Sequence, residues 1–563
     1  MLSIRSFIGE VPAVTPRLLP DGGAQVAINC RMIDGAIVPL RYPTGYRSLL
    51  GGNVMFFKSG DKWFEYNKLI DVVQAPIAED RLYFTGDGKP KIVVDASIYD
   101  LAVESPKAAL TASTTGTTDP DTEISITYVY TYITASDEES EPSPLSNEVL
   151  VSYGMEVTLT GFRAPTGNRN YDRIRIYRSQ TSASGRTDLY FVFEIPLPVP
   201  SSYADDPWSI DVQEAITSTD FNPPPDDLQG IIALPNGMLA GFVENRLYLS
   251  EPWKPHAWPE KYILTTSFDI VGLGAFGRSI AIMTTGNPYV ASGVTPDAMS
   301  MELIEVNYPC VSKRGIVDLG YAVAYPSTDG LIVISGNGAN LVTKKLFTRG
   351  QWQKLNPGSM IASQSYGRYV VRYSSIDSSA ELQNGTLIID MTGDTPFISR
   401  INTFYDYMFF EVGSGILYVL DGRDVIEFDS IYAGYMNFEW KSKPFILDGH
   451  TNYGAILVDS DAAAEDAEGV IPYVYVEEAT LGSGSYFDII VNGKAIGESI
   501  EGEFNATVYA DGVAVRTTSD LNAISRLPGG FLARTWEVEI NARRIVNAIH
   551  LAWSPSELSI GFK

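Results

Sequence analysis

Gly272, Gly274 and Gly277 stand at the spacing G-x-G-x-x-G inside FDIVGLGAFGRSIAI, residues 268–282. Three glycines so placed after an apolar run can cradle a dinucleotide, provided they open a helix whose first amides receive the pyrophosphate. The chain continues as RSIAIMTTGNPYVASG, in which Ile280, Ile282 and Tyr289 fall on strand positions. Thr284-Thr285-Gly286-Asn287-Pro288 ends the run, and no βαβ unit surrounds it. The motif is met without its context. The glycines are expected to serve backbone geometry in a β-fold, and no cofactor is expected.

A second candidate is SEPWKPHAWPEKY, where His256 sits between Trp253 and Trp258, with Glu251 and Glu260 close by. Indole and imidazole faces can stack on a sugar or a base, so the three residues form a possible interface or ligand loop. Glycoside hydrolysis needs two carboxylates about 5–10 Å apart across one bond, and the sequence offers many carboxylates with no way to choose a pair. The plainer expectation is a proline-rich loop packed by its own aromatics. His450 and His550 lie far from His256, so no Ser-His-Asp set can be assembled. The acidic stretches SDEESE (136–141) and DSDAAAEDAEG (459–469) lack the spacing of a calcium loop and are expected to be solvated. STDGLIVISG (327–336) resembles a sialidase Asp-box, but its spacing differs and the Trp is missing. Asn384-Gly385-Thr386 and Asn505-Ala506-Thr507 match a glycosylation sequon, which carries weight only behind a secretory signal. No catalytic residue and no metal site are expected.

The elements that hold these residues read as β. The 563 residues allow several domains, and 32 Tyr with 49 Gly and 33 Pro favour short strands joined by tight turns. Helical periodicity is scarce. Short apolar or alternating runs recur instead, among them NVMFFKSGDKWFEYN (53–67), DRLYFTGDGKPKIVVD (80–95), GMLAGFVENRLYLSE (237–251) and GILYVLDGRDVIEFD (415–429). Each reads as a hairpin with Gly, Asn or Asp at its corner. They return every 35 to 50 residues or so, the period of a propeller blade, which gives roughly five to seven blades.

Two segments break the rhythm. Residues 107–225 run from a Thr/Ser-rich approach to the Pro-rich exit FNPPPDDLQG, and enclose YVYTYITASDEESEPSPLSNEV, YDRIRIYRSQ and DLYFVFEI. They read as an inserted fibronectin-like sandwich. Residues 446–563 read as a second small β-sandwich. The expected fold is therefore all-β: a propeller over 1–106 and 226–445, an insert over 107–225 and a C-terminal β-domain over 446–563.

A formal net charge of −27 repels phosphate, so a tight grip on nucleic acid is not expected, although a polyanion can slide past such a wall. Cys30 and Cys310 make neither a disulfide framework nor a zinc spacing. MLSIRSFIGEVPAVTPRLLP does not read as a signal peptide, and no run approaches the roughly 18 apolar residues of a membrane span.

Several phrases together resemble the tail nozzle, or tail tubular protein B-like, virion proteins of short-tailed bacteriophages. They are GEVPAVTPRLLPDGGAQVAINCRMIDGAIVPL (9–40), YDRIRIYRS (171–179), LPNGMLAGFVENRLYLSEPWKPHAWPEKY (234–262), CVSKRGIVDLG (310–320), LFTRGQWQKLNP (346–357) and SRLPGGFLARTWEVEI (525–540). The resemblance implies a propeller-based structural protein, assembled in the host cytoplasm into a ring, typically a hexamer, below the portal and its adaptor. Such a ring lines the last part of the DNA channel, retains the genome until ejection, contacts fibres or spikes, and has no catalytic residues. The alternative reading is a propeller-based glycan-binding or glycan-degrading tail protein, resting on Trp253, His256 and Trp258.

Overall fold

The computed structural model describes residues 1–74, 77, 81–181, 187–208, 214–376, 384–393, 395–461, 490–491, 494–495 and 504–560. Among them the chain is all-β: its two α-helices, Arg349–Lys354 and Pro555–Ile560, are short pieces of six residues each. No helix of the described residues is long and apolar enough to cross a membrane. The chain divides into two compact units, Lys68–Asn307 and Met1–Asn67 with Tyr308–Lys563.

In the Lys68–Asn307 unit, three antiparallel sheets of four strands follow the chain. The first is Asp71–Gln74, Leu82–Thr85, Lys91–Val94 and Ser97–Asp100. The second is Gln229–Ala233, Leu239–Val243, Arg246–Leu249 and Leu264–Thr265. The third is Ile270–Phe276, Ser279–Thr284, Tyr289–Ser292 and Ser300–Leu303. The middle sheet is covered on both faces. Along Leu239–Val243, Ala240 and Phe242 join a core with Ile280 and Ile282, while Leu239 and Val243 join another with Tyr83 and Ile92. Successive strand side chains point to opposite faces, so a strand packed on both sides must be apolar throughout, as LAGFV is. The first strand of the middle sheet lies against the first strands of both neighbours.

Between the first two of these sheets, residues 107–225 build their own core. Thr111–Thr115, Glu156–Thr160 and Ser202–Asp205 make one three-stranded sheet, and Tyr128–Thr134, Tyr171–Thr181 and Thr187–Pro196 make another. Tyr128, Tyr130, Tyr132, Ile174 and Ile176 face Ala112, Val157 and Leu159.

The other unit repeats the pattern. Val317–Asp318, Val323–Pro326, Leu331–Ser335 and Gly338–Leu341 make a four-stranded sheet. Ile361–Ser365, Arg368–Tyr373, Gly385–Asp390 and Phe397–Ile401 come next as four more antiparallel strands. Tyr407–Glu411, Ile416–Asp421 and Asp424–Glu427 are completed by Thr44–Ser48 from near the start of the chain. The 361–401 strands are covered on both faces too, with Tyr369 and Val371 on one core and Val370 and Ile388 on the next. The hairpin Met55–Ser59 with Lys62–Tyr66 packs through Phe56 on Tyr407 and Phe409.

Strands of the expected C-terminal domain do not stand apart. Val546–Ala552 pairs with Leu2–Ile4, Ala36–Pro39 and Ala455–Ser460, and Ala533–Ala542 pairs with Phe438–Ser442. Ala24–Ile28 joins that second sheet beside Phe438–Ser442. One core holds Ile4, Ala27 and Ile37 together with Trp440, Trp536 and Leu551. Residue 446 is therefore not a sheet boundary. Most of the acidic stretch 459–469 and of YFDIIVNGKAIGE lies outside the described residues.

Candidate functional site

Ile270–Phe276 and Ser279–Thr284 form an antiparallel hairpin in which Gly272 sits opposite Met283 and Gly274 opposite Ala281. Gly277 occupies the turn at φ +57°, a left-handed conformation that glycine adopts without steric cost, and the space around it is open. The motif leads into a strand, so it lacks the helix N-terminus that would receive a phosphate.

The loop holding Trp253, His256 and Trp258 does not gather them into a pocket. Trp258 is buried and its indole N–H donates to the Pro255 carbonyl at 2.8 Å. Trp253 is exposed, in the left-handed region at φ 62°, and its backbone N–H donates to the Gly237 carbonyl at 2.9 Å. Its ring lies over Gly237, where a Cβ would meet indole carbon at 2.6 Å. Glu251 accepts from the Tyr262 hydroxyl at 2.9 Å, and Glu260 is exposed.

His256 is buried, edge-on to Phe221 at 5.8 Å, and its Nε2 lies 3.0 Å from the Glu139 carbonyl. A carbonyl only accepts, so Nε2 carries the proton. Burial, and then the positive charge of Arg169, push this imidazole down to about 3, which leaves it neutral at ordinary pH. It acts as a plug between the 251–260 loop and the 136–141 loop.

That acidic loop is the residue set the sequence misassigned. Its centre is not solvated: Glu138 and Glu139 are buried and paired, while Asp137 stays exposed. Glu138 forms an ion pair with Arg169, the two side chains only 6% and 1% exposed, and lies 3.8 Å from Arg81. Arg169 also donates through Nη1 to the Asp100 carbonyl at 3.1 Å, reaching the end of the 71–100 sheet. Glu139 accepts from Tyr177 at 2.6 Å, from Thr131 at 2.8 Å and from Arg175 at 3.2 Å. Burial, reinforced by the Glu139 charge, drives the Tyr177 hydroxyl well above its ordinary range. Glu141 accepts from Asn222 at 2.6 Å, and burial raises its carboxyl.

Beyond the loop, Ser140, Ser143 and Ser146 zip along the Tyr128–Thr134 strand. Their hydroxyls accept from the N–H groups of Tyr132, Tyr130 and Tyr128 at 3.0, 3.1 and 2.9 Å. The S-x-x-S-x-x-S spacing and the alternating arginines of YDRIRIYRSQ are the sequence signals that could have exposed this arrangement. A serine at every third residue keeps one face of an extended, proline-punctuated segment on the strand, and a ladder of arginines calls for carboxylates across from it.

Chemically, the cluster is a clamp. The charges of Glu138, Glu139, Arg169 and Arg175 pair with one another and tie the loop to the strands beside it. No group of three or more His, Cys, Asp or Glu able to hold a metal ion occurs among the described residues. Cys30 and Cys310 are both buried and free.

No family model matches the chain, and no curated protein matches it. One solved structure that does match is PorZ, an essential bacterial surface component of the type-IX secretion system of Porphyromonas gingivalis. The identity is 12% over 48% of this chain and 40% of that chain, with a TM-score of 0.21. The match thus spans less than half the length of PorZ, and the superposition is too partial to assign a fold.

Proposed function

We propose that the chain is a structural protein of a short-tailed phage virion, a tail nozzle that extends the DNA-ejection channel and helps retain and then release the genome. The phrases that resemble nozzle proteins, spread over most of the sequence, support the virion assignment. The geometric observation that carries the reading is the succession, among the described residues, of five four-stranded antiparallel sheets, the last completed by Thr44–Ser48 from near the start of the chain, with the 361–401 strands as four more within a larger sheet. We read these sheets as propeller blades, in which a strand from near the start of the chain completes the last sheet and removes an open edge.

Charge supports the same reading. A chain with a formal net charge of −27 repels the phosphate backbone, which suits a conduit that DNA passes without adhering. The clamp suits a part under mechanical tension, because a buried ion pair and the bond from Arg169 to Asp100 tie the sandwich to the sheet it grows from. Under this reading the partners are further copies in a ring, sixfold by family resemblance, the adaptor side of the portal, and fibres or spikes. Less supports the glycan reading: Trp258 and His256 are packed inside, and only Trp253 of the trio stays exposed.

Immunogold labelling of particles from lysed host cells tests the proposal. Gold on the tails, from antibodies raised against this chain, is the expected result. Particles that carry no label, with the chain recovered only in the soluble lysate, would overturn it.

A further inference from the structure

The 107–225 segment has two ends. One carries the clamp. The other lies about 20 Å away along the Tyr128–Thr134 strand, taking roughly 3.3 Å per residue. At that far end Tyr153 and Trp208 meet edge to face at 5.7 Å while remaining 73% and 37% exposed. The Ile124–Ile126 and Val149–Val151 ribbon leads into this end, with Ile124 and Leu150 exposed on its opposite faces. The 119–123 turn is tied to this end: Ser152 Oγ accepts from the Asp119 N–H at 2.6 Å, and Thr122 Oγ1 accepts from the Tyr153 N–H at 3.2 Å.

The same strands and turn also carry carboxylates. Asp119, Asp121, Glu123, Glu148 and Glu156 are all exposed. Residues 108–162 contain no lysine or arginine, and among the described residues no cation pairs with any of these five. Elsewhere the chain covers aromatic faces with its own cations: Arg372 lies 4.2 Å over Phe404, Lys254 4.3 Å over Phe221 and Arg41 4.4 Å over Tyr435. Tyr153 and Trp208 receive none of them.

We propose that this end is a docking face for a lysine- and arginine-rich segment of a partner protein. The aromatic pair would receive the guanidinium or ammonium groups on its faces, and the carboxylates of the 119–123 turn and its neighbouring strands would supply the complementary charge. Exposed aromatics are characteristic of interface centres and costly to leave in water. The clamp at the other end holds the face in place, so little conformational freedom is lost on binding. This docking face stands or falls separately from the virion reading.

Fluorescence anisotropy with a labelled deca-arginine peptide tests it on the full chain. Three proteins are compared: the natural chain, Tyr153→Ser with Trp208→Ser, and a charge control, Glu302→Gln with Glu305→Gln, at exposed carboxylates elsewhere. Both substituted aromatics are surface groups, and an unchanged melting temperature would show that the fold is intact. Loss of two cation–aromatic contacts should weaken peptide binding about tenfold, with the charge control binding as the natural chain does. Equal binding by all three proteins would reduce the effect to general attraction by an acidic surface and overturn the proposal. So would no binding at all. Sedimentation showing a dimer that the Tyr153→Ser, Trp208→Ser variant loses would overturn it in favour of a second copy of this chain.

Discussion

Replacing Glu138 by Gln is the sharpest probe of the clamp. Glu138 and Arg169 are almost wholly removed from water, and deleting one charge of such a pair leaves the other buried without compensation, at a cost of about 3–5 kcal/mol. Glutamine keeps the shape and one acceptor, and Arg169 keeps its bond to the Asp100 carbonyl, so the lower end applies, about 3 kcal/mol. For a unit the size of Lys68–Asn307, each kcal/mol moves the midpoint about 2–4 °C, so Glu138→Gln should lower its transition by about 6–12 °C. The double variant Glu138→Met with Arg169→Met removes both charges and should recover most of that loss, since a buried ion pair contributes little over a well-packed apolar one. Differential scanning calorimetry of Glu138→Met, Arg169→Met and the double closes the cycle. A Glu138→Gln variant that melts within about 2 °C of the natural chain would refute the claim that the loop is buried and stabilising. A double variant as unstable as the sum of its singles would refute the pairing.

The same geometry yields two further expectations. His256 is depressed by burial to about 3. Between its ordinary value near 6.5 and that value the unfolded chain binds a proton that the folded chain does not, so stability should fall as pH falls, by about 1.4 kcal/mol per pH unit in the steepest part. His256→Gln, which can still donate to the Glu139 carbonyl, should flatten urea-melt stability across that window, and an unchanged slope would contradict the assignment. Gly277→Ala should cost about 1 kcal/mol for the left-handed turn, with Gly277→Asn costing less, and saturating NAD should leave the melting temperature within about 2 °C; a larger shift would restore the nucleotide reading.

The hairpins were legible because each is local. GMLAGFVENRLYLSE holds Leu239–Val243 and Arg246–Leu249, which pair with each other, and GILYVLDGRDVIEFD holds Ile416–Asp421 and Asp424–Glu427, which do the same. The glycine motif was legible for the same reason: the residues just after Gly277 decide whether a helix opens. The hidden features depend on partners far along the chain. Nothing near Thr44–Ser48 announces Asp424–Glu427, and nothing near Leu2–Ile4 announces Val546–Ala552. A strand edge accepts any strand of suitable pattern, so its choice is made by the whole fold. The 136–141 loop looked solvated because its counter-charges, Arg81, Arg169 and Arg175, come from other places in the sequence.

If this chain closes and extends a virion channel, its absence must show in the particles themselves. The decisive measurement is electron microscopy of particles assembled with its gene silenced, beside particles made with it. Heads that package DNA and then leak it through a shortened tail are the expected result. Full heads on intact tails, whether unchanged in infectivity or failing only to adsorb, would contradict the nozzle role.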